Sequence, residues 1–374
     1  MSTALAAAPG RILLVGPLPP PSGGMANQTR QLARLLAADG VAVELVQTNA
    51  PIRPAWIRNV RGIRALFRLV PYLRALWRGT GRADVVHVMA NSGWSWHLFA
   101  APAVWIAALR GVPAVVNYRG GEAGPFLARQ HALVQPTLAR AALLVVPSGF
   151  LAGVFAGYGH AVREVPNIVD LDAFAPAPAL PGSLHLVVTR NLEPIYDNAT
   201  AIRAFADVAA VHPDARLTVT GEGPERDRLL ALCENLRIAD RVRFTGRLDN
   251  RELPALYRSA SVVVNPSTVD NLPVSLLEAL ASGVPVVSTN VGGVSFVVAD
   301  GATALLVPPR DPRAMADAIL RVAEYPALAG ALRNAGLAAA RRYSWSAVRP
   351  ILYAAYQEAI AGASAHRTPS REAT

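Results

Sequence analysis

The sequence predicts an α/β protein of two doubly wound domains, and three observations carry that reading. Short apolar segments rich in Val, Leu and Ile alternate with helix-period segments along the chain. The short segments are apolar on both faces, as strands of a parallel sheet covered by helices must be. The alternation pauses once, at Phe174–Gly182, where three prolines and a glycine fall within nine residues, and then restarts. At roughly 150 residues per domain, 374 residues suit two domains. The expected limits are residues 1–178 and 182–343, with a further helix at about 344–362 and a polar, disordered tail over 363–374.

In the first half the expected strands are Arg11–Gly16, Val41–Gln47, Val85–Met89, Pro113–Asn117 and Leu143–Pro147. A helix-period segment, Met25–Asp39, lies between the first two and is closed by Gly40. After the pause the strands are Leu184–Thr189, Arg216–Thr220, Val242–Thr245, Val262–Asn265 and Val284–Ser288. The longest uninterrupted apolar stretch, Leu98–Leu109, is too short to span a bilayer. Met1–Pro9 has no basic-then-apolar signal pattern. The expectation is a cytoplasmic protein, soluble or peripheral on the inner face of the membrane.

All 36 basic residues are arginine, against 26 acids, for a net charge of +10. The absence of lysine excludes Schiff-base chemistry, a lysine general base and a Walker-type phosphate lysine. Nine of the ten excess charges fall in residues 1–180, which hold 16 Arg and 7 acids. A single cysteine, Cys233, excludes an intrachain disulfide and a cysteine-rich metal site.

Ligands of doubly wound sheets bind at the carboxyl ends of the strands, so the segments there carry the functional reading. Gly23 and Gly24, after the first strand, would let backbone amides approach a phosphate at the start of a helix; a plain tight turn explains them equally well. No Gly-x-Gly-x-x-Gly is present there, which disfavours a dinucleotide dehydrogenase. Arg190 ends the strand Leu184–Thr189, where its planar donor fork suits a diphosphate; the alternative is a surface pair with Glu193. Gly221-Glu222-Gly223-Pro224 reads more readily as a strand-to-helix turn. Asp270-Asn271-Leu272-Pro273 follows a strand, and Glu278 lies in the helical segment Leu276–Ala281. Spacing alone does not place both acids on one face. Gly292-Gly293 forms another turn after the next strand.

The ordered set Gly23-Gly24, Pro166-Asn167-Ile168-Val169-Asp170, Arg190, Gly221-Glu222-Gly223-Pro224, Asp270 with seven residues to Glu278, and Gly292-Gly293 resembles the family 4 glycosyltransferases, from about Arg11 to Glu358. The resemblance implies a GT-B fold, two Rossmann-like domains facing across a cleft, with a nucleotide-sugar donor held mainly by the second and the acceptor by the first. It also implies that the last helix returns to the first domain. Anomeric configuration would be retained, with no cofactor and no bound metal. Arg190 would neutralise the departing diphosphate, and Glu278 would bind the ribose hydroxyls. Asp270, with the amides of Asn271 and Leu272, would hold the transferred sugar. Gly23, Gly24, Gly221, Gly292 and Gly293 would line the donor site. Three positions depart from the family pattern. Asp270 replaces a glutamate, Glu193–Asp197 contains no lysine after Arg190, and Tyr118-Arg119-Gly120 stands where a histidine is usual. Arg119 is the candidate to supply the missing charge.

Arg53–Arg82 holds eight arginines and no acid, interleaved with Trp56, Phe67, Tyr72 and Trp77. At 100° per residue Arg58, Arg61, Arg64 and Arg68 share a face, opposite an apolar stripe that runs from Trp56 through Phe67 to Val70, and Pro71 is expected to end the helix. An anionic membrane surface, with Trp56 and Trp77 at headgroup level, is the favoured partner. Solvated arginines on a core-packed helix are the alternative, and nucleic acid is disfavoured. His87 and His97 could line the acceptor side but read more readily as core or surface histidines, and Cys233 reads as a small apolar filler.

The expected activity is transfer of a hexose-type sugar to a hydroxyl of a lipid-linked or polysaccharide acceptor, in cell-surface glycan synthesis. The rivals are a nucleotide-sugar hydrolase or epimerase on the same fold, and a catalytically inactive lipid- or partner-binding relative.

Overall fold

The computed structural model describes residues 8–20, 23–51, 63–179 and 181–365. The chain divides into two compact units, residues 1–166 with 348–374, and residues 167–347.

The N-terminal unit is built on a six-stranded sheet whose paired strands all run parallel. Its strands are β1 (Arg11–Gly16), β2 (Ala42–Gln47), β3 (Val85–Ala90), β4 (Ala114–Tyr118), β5 (Leu143–Val146) and the short β6 (Arg163–Glu164), in the order β2-β1-β3-β4-β5-β6. Interleaved helices are α1 (Gly24–Ala38), α2 (Ile63–Thr80), α3 (Ala101–Leu109), α4 (Ala123–Leu138) and α5 (Gly149–Ala156). Strands β3 and β4 are buried along their whole length, which explains their unbroken apolar character. One core layer joins Leu13, Val86 and Val116 of the sheet to Leu76 of α2 and Leu127 of α4.

The C-terminal unit holds β7 (His185–Thr189), β8 (Arg216–Thr220), β9 (Val242–Gly246), β10 (Val262–Asn265), β11 (Val286–Thr289) and β12 (Leu305–Val307). Its helices are α6 (Asn198–Val211), α7 (Arg226–Asn235), α8 (Leu253–Arg258), α9 (Val274–Ala281), α10 (Pro312–Glu324) and α11 (Pro326–Ala340). The sheet order β12-β11-β10-β7-β8-β9 is the Rossmann order, with the reversal of direction between β7 and β10. Separate apolar layers cover its faces, one around Phe205 and Ile319, the other around Leu276 and Tyr257. The last helix, α12 (Trp345–Ala365), belongs to the N-terminal unit from Val348 onward. There Tyr353 donates to Asp39 at 2.9 Å and Arg163 pairs with Glu358 at 2.7 Å.

Two expectations need correction. The chain leaves the first unit at Pro166, not at 178–182, because residues 167–177 are already fastened to the second. Asn167 donates to the Leu272 carbonyl at 2.8 Å, Val169 to the Tyr343 carbonyl at 2.9 Å, and Phe174 packs edge-on against Tyr257. The proline-rich text marks irregular chain, but Phe174 supplies apolar surface that only the second core can bury. Likewise Pro71 does not end α2, which runs through it to Thr80. A core face formed by Tyr72, Leu76 and Thr80 holds the following turns in place, outweighing the proline's cost.

Candidate active site

In the C-terminal unit, the loops following β7 and β10 meet where the strand order reverses, the position at which such sheets bind ligands. Arg190, the residue after β7, forms an ion pair with Asp270, and both side chains are almost enclosed, at 11% and 12% exposure. Glu193, the surface alternative, is not its partner. Two serines hold the guanidinium: Ser267 accepts from Nε and Nη2 at 3.1 Å, and Ser275 from Nη1 at 3.3 Å. Tyr196 lies beneath its plane at 4.5 Å. Ser267 donates onward to Asn265 at 2.8 Å, and Asn265 donates to Ser288 at 3.0 Å, so the chain of bonds crosses from β10 to β11. Every bond in that chain fixes the guanidinium before any ligand arrives.

Glu278 sits one turn into α9. Its carboxylate accepts from the Tyr257 hydroxyl at 3.1 Å, and that hydroxyl lies 2.8 Å from Thr189 at the end of β7. Burial pushes the Glu278 carboxyl up to about 7, against the opposing pull of the Tyr257 hydrogen bond and the Arg190 charge. Burial also lowers Arg190 from its ordinary value, opposed by Tyr196, Tyr257 and Glu278. Folding thus brings Arg190, Asp270 and Glu278 together, which spacing could not decide.

Two glycine turns form the floor of this arrangement. A β-carbon at Gly221 or Gly223 would overlap the carbonyl oxygens of Arg190 and Leu192, and one at Gly292 or Gly293 would overlap those of Asp270 and Asn271. Gly221 and Gly292 also have φ of +127° and +52°, where side chains are disfavoured. The amide of Gly293 donates to the Asp270 carbonyl at 2.9 Å, and the amide of Leu192 to the Glu222 carbonyl at 3.0 Å. The structure therefore places Gly221, Gly292 and Gly293 beneath the site loops. The amide of Asn271 donates to the Asp270 carboxylate at 3.0 Å. Leu272 is buried, its carbonyl held by Asn167.

In the N-terminal unit, the sheet order reverses between β1 and β3. Gly23 and Gly24 lie after β1 at the start of α1, and a β-carbon on either would meet nothing within 4 Å. Arg119 follows β4; it donates to Asn117 at 3.1 Å and to Gln28 of α1 at 3.4 Å. Burial pushes its guanidinium down to about 10. Asn117 lies 3.2 Å from His87 Nε2, and the Tyr356 hydroxyl of α12 lies 2.9 Å from Nδ1. With the Asn117 oxygen occupied by Arg119, its nitrogen donates to Nε2. The ring, neutral because burial pushes it down to about 3, then carries its proton on Nδ1 and donates to Tyr356. His87 is structural, as is the buried Cys233.

Arg58, Arg61 and Trp56 lie outside the described residues, and so does the side chain of Arg64. Arg68 does not stand free: it donates twice to the Thr48 carbonyl, at 2.9 and 3.2 Å, and lies over Phe99. Phe67, expected on the packed stripe, is exposed, as are Leu73 and Trp77. Arg110 stacks on Trp77 at 4.6 Å. Among the described residues no helix is long and apolar enough to cross a membrane.

A groove of about 740 Å³ lies at the amino ends of the C-terminal strands, between Ser183, Asp214 and Arg333, away from this chemistry. Ser267, Ser275, Tyr196 and Tyr257 were not anticipated from sequence. Ser267 immediately beyond a strand was a usable signal; Tyr257, inside a short helix, offered none.

Residues 182–338 match the profile described as glycosyl transferases group 1, and residues 22–173 the one described as glycosyltransferase family 4. A glycogen synthase of Mycobacterium tuberculosis is 30% identical over 350 residues, covering 88% of this chain and 82% of the relative. A D-inositol 3-phosphate glycosyltransferase of Segniliparus rotundus is 28% identical, covering 91% and 86%. Among solved structures, sucrose-phosphate synthase of Thermosynechococcus elongatus superposes with a TM-score of 0.75 at 22% identity, covering 94% of this chain and 99% of that one. Anabaena HepE, in complex with UDP and glucose, gives 0.70 at 17% identity, covering 91% and 97%. The chain belongs to the family 4 glycosyltransferases and has their two-domain GT-B fold. It is a glycosyltransferase.

Proposed function

We propose that this enzyme transfers a hexose-type sugar from a nucleotide diphosphate sugar to a hydroxyl of a glycan or lipid-linked acceptor, with retention of configuration and without a bound metal. The observation that carries the reading is Arg190, held rigid at the β7–β10 reversal beside Asp270 and Glu278. The sugar C1–oxygen bond breaks, the diphosphate leaves with the electron pair, and the acceptor oxygen bonds to C1. The acceptor's proton passes to the departing phosphate oxygen. A preorganised guanidinium acts on the charge that develops there, and it needs no reorganisation to do so. Donor binding exchanges the Arg190–Asp270 pair for Arg190–diphosphate, which releases Asp270 to hold sugar hydroxyls with the amides of Asn271 and Leu272. Glu278 accepts from the ribose hydroxyls. Gly23 and Gly24 leave the start of α1 open to a phosphate, and Arg119 is the cation of the acceptor-binding unit.

The two relatives named above are a glycogen synthase and a D-inositol 3-phosphate glycosyltransferase, a phosphatidyl-myo-inositol mannosyltransferase of Mycobacterium tuberculosis is 34% identical over 217 residues, and HepE was solved with UDP and glucose, which supports this donor and these acceptor classes. The exposed Phe67, Leu73 and Trp77 of α2, among Arg74 and Arg78, support peripheral contact with anionic lipid on the cytoplasmic face. The test is thermal stability of the full chain against UDP, GDP and ADP and their sugars. A specific ligand raises the midpoint by mass action. One base is expected to do so, and to lose the effect in Arg190→Ala. No shift with any of them overturns the reading.

A further inference from the structure

From the β3–α3 connection we infer that Trp94 is a stacking platform for an uncharged pyranose ring of the acceptor. This inference rests on the glycosyltransferase reading proposed above and specifies the acceptor's chemistry. Strand β3 is one of the two strands flanking the reversal in the N-terminal sheet, and the connection leaves its carboxyl end, where ligands of such sheets bind. In Asn91-Ser92-Gly93-Trp94-Ser95-Trp96-His97, two tryptophans stand two residues apart and meet opposite fates. Trp96 is fully buried against Tyr118 and Phe126, with ring centroids 6.2 Å from each. Trp94 is 78% exposed, more than any other large apolar side chain among the described residues.

The exposed ring is not left loose. Gly93, at φ +67°, turns the chain, and its carbonyl accepts from the amides of Trp96 and His97 at 3.0 and 3.4 Å. The His97 ring meets Trp94 edge-on at 6.4 Å, and His97 donates through Nε2 to the Gln130 side-chain oxygen at 2.6 Å. The helix that follows opens with a π-turn, Trp96–Ala100, a widening found often at functional sites. A preorganised aromatic with fixed polar neighbours binds at low entropic cost.

The chemistry of the surroundings selects the occupant. Residues 85–109 contain no Asp, Glu, Lys or Arg. Asn91, Ser92, His97 and Gln130, all half-buried near Trp94 in the fold, supply neutral donors and acceptors. An exposed aromatic ring on a loop of neutral hydrogen-bonding groups, with the charges of Arg119 and Glu122 set on the neighbouring β4 connection, fits a sugar ring, whose faces carry C–H groups and whose edges carry hydroxyls. A lipid surface would be met by basic residues, and these lie on α2 instead.

The full chain labelled with 5-fluorotryptophan gives six fluorine resonances, one assigned to Trp94 by its loss in Trp94→Tyr. Titration uses maltotetraose, cellotetraose and mannotetraose. We expect at least one to move the Trp94 resonance, with affinity lowered about fivefold in Trp94→Ala and largely kept in Trp94→Tyr. Three outcomes overturn the proposal: no tetrasaccharide moves Trp94, Trp94→Ala binds as well as the parent, or vesicles of phosphatidylglycerol move Trp94 while sugars do not. The nucleotide thermal shift separates the two readings. It is expected unchanged in Trp94→Ala, and its absence in the parent chain would sink the donor assignment alone.

Discussion

Gly23–Gly24 in the N-terminal unit and Gly292–Gly293 in the C-terminal unit each follow a parallel strand, and each precedes a turn toward a helix. Their surroundings are opposite. The first pair has open space on the side where a β-carbon would stand, whereas the second is pressed against the backbone of Asp270 and Asn271. An open glycine at a helix start keeps a surface clear for something outside the chain. A packed glycine lets two parts of the chain approach each other. In the C-terminal unit Gly221, Gly223, Gly292 and Gly293 are all of the second kind, and they support the loops that carry Arg190 and Asp270.

The largest effect expected is that of Arg190→Ala. It removes the charge proposed to act on the leaving diphosphate and should lower turnover by about 10²–10³-fold or more, with the thermal midpoint of the chain little changed. Turnover near that of the parent would remove Arg190 from the mechanism and leave the packed glycines supporting nothing catalytic. Next is the glycine contrast itself. Gly293→Ala should cost about 1–3 kcal/mol of stability because its β-carbon cannot coexist with the Asn271 carbonyl. Gly24→Ala should stay within about 0.5 kcal/mol and show its effect, if any, only in ligand affinity. Urea denaturation of both variants decides this, and equal losses would erase the distinction.

Glu278 gives a pH signature confined to the C-terminal unit. Its folded value of about 7 lies above the ordinary 4.5, so between these values the folded state binds the extra proton. Stability therefore falls as pH rises through this window, by about 1–3 kcal/mol. Nucleotide affinity should change in the opposite sense, rising as pH approaches and passes 7, because the proposed contact to the ribose hydroxyls uses the carboxylate. In Glu278→Gln both slopes should flatten; persistence of the affinity slope would assign it to another group. The smallest effect belongs to α2. Replacing Arg74 and Arg78 by Gln should weaken sedimentation with anionic vesicles severalfold, at about 1 kcal/mol per arginine near the surface. Unchanged sedimentation would return α2 to a helix that merely solvates its arginines.

Much of the fold was legible because it rests on local pattern. Three strands, Arg11–Gly16, Arg216–Thr220 and Val262–Asn265, match the expectation residue for residue, and the others match to within two residues. The short β6 and β12 escaped notice, since two or three residues carry too little periodicity. Arg190 and Asp270 stood out through their positions beyond strand ends, and Glu278 through the ordered pattern that resembles the family. Their supports did not. Ser267 and Ser275 become partners of Arg190 only after β7, β10 and α9 are brought side by side.

By itself the sequence determined the alternation of strands and helices, the family, and the residues with chemistry to offer, because each is written in short-range spacing and residue type. Tertiary structure alone decided that Arg190 pairs with Asp270 rather than Glu193, that the domain boundary falls at Pro166, and that Trp94 is exposed while Trp96 is buried. Those outcomes depend on which surfaces the two cores have room to cover, and burial is a property of residues distant in the chain that meet only when it is folded.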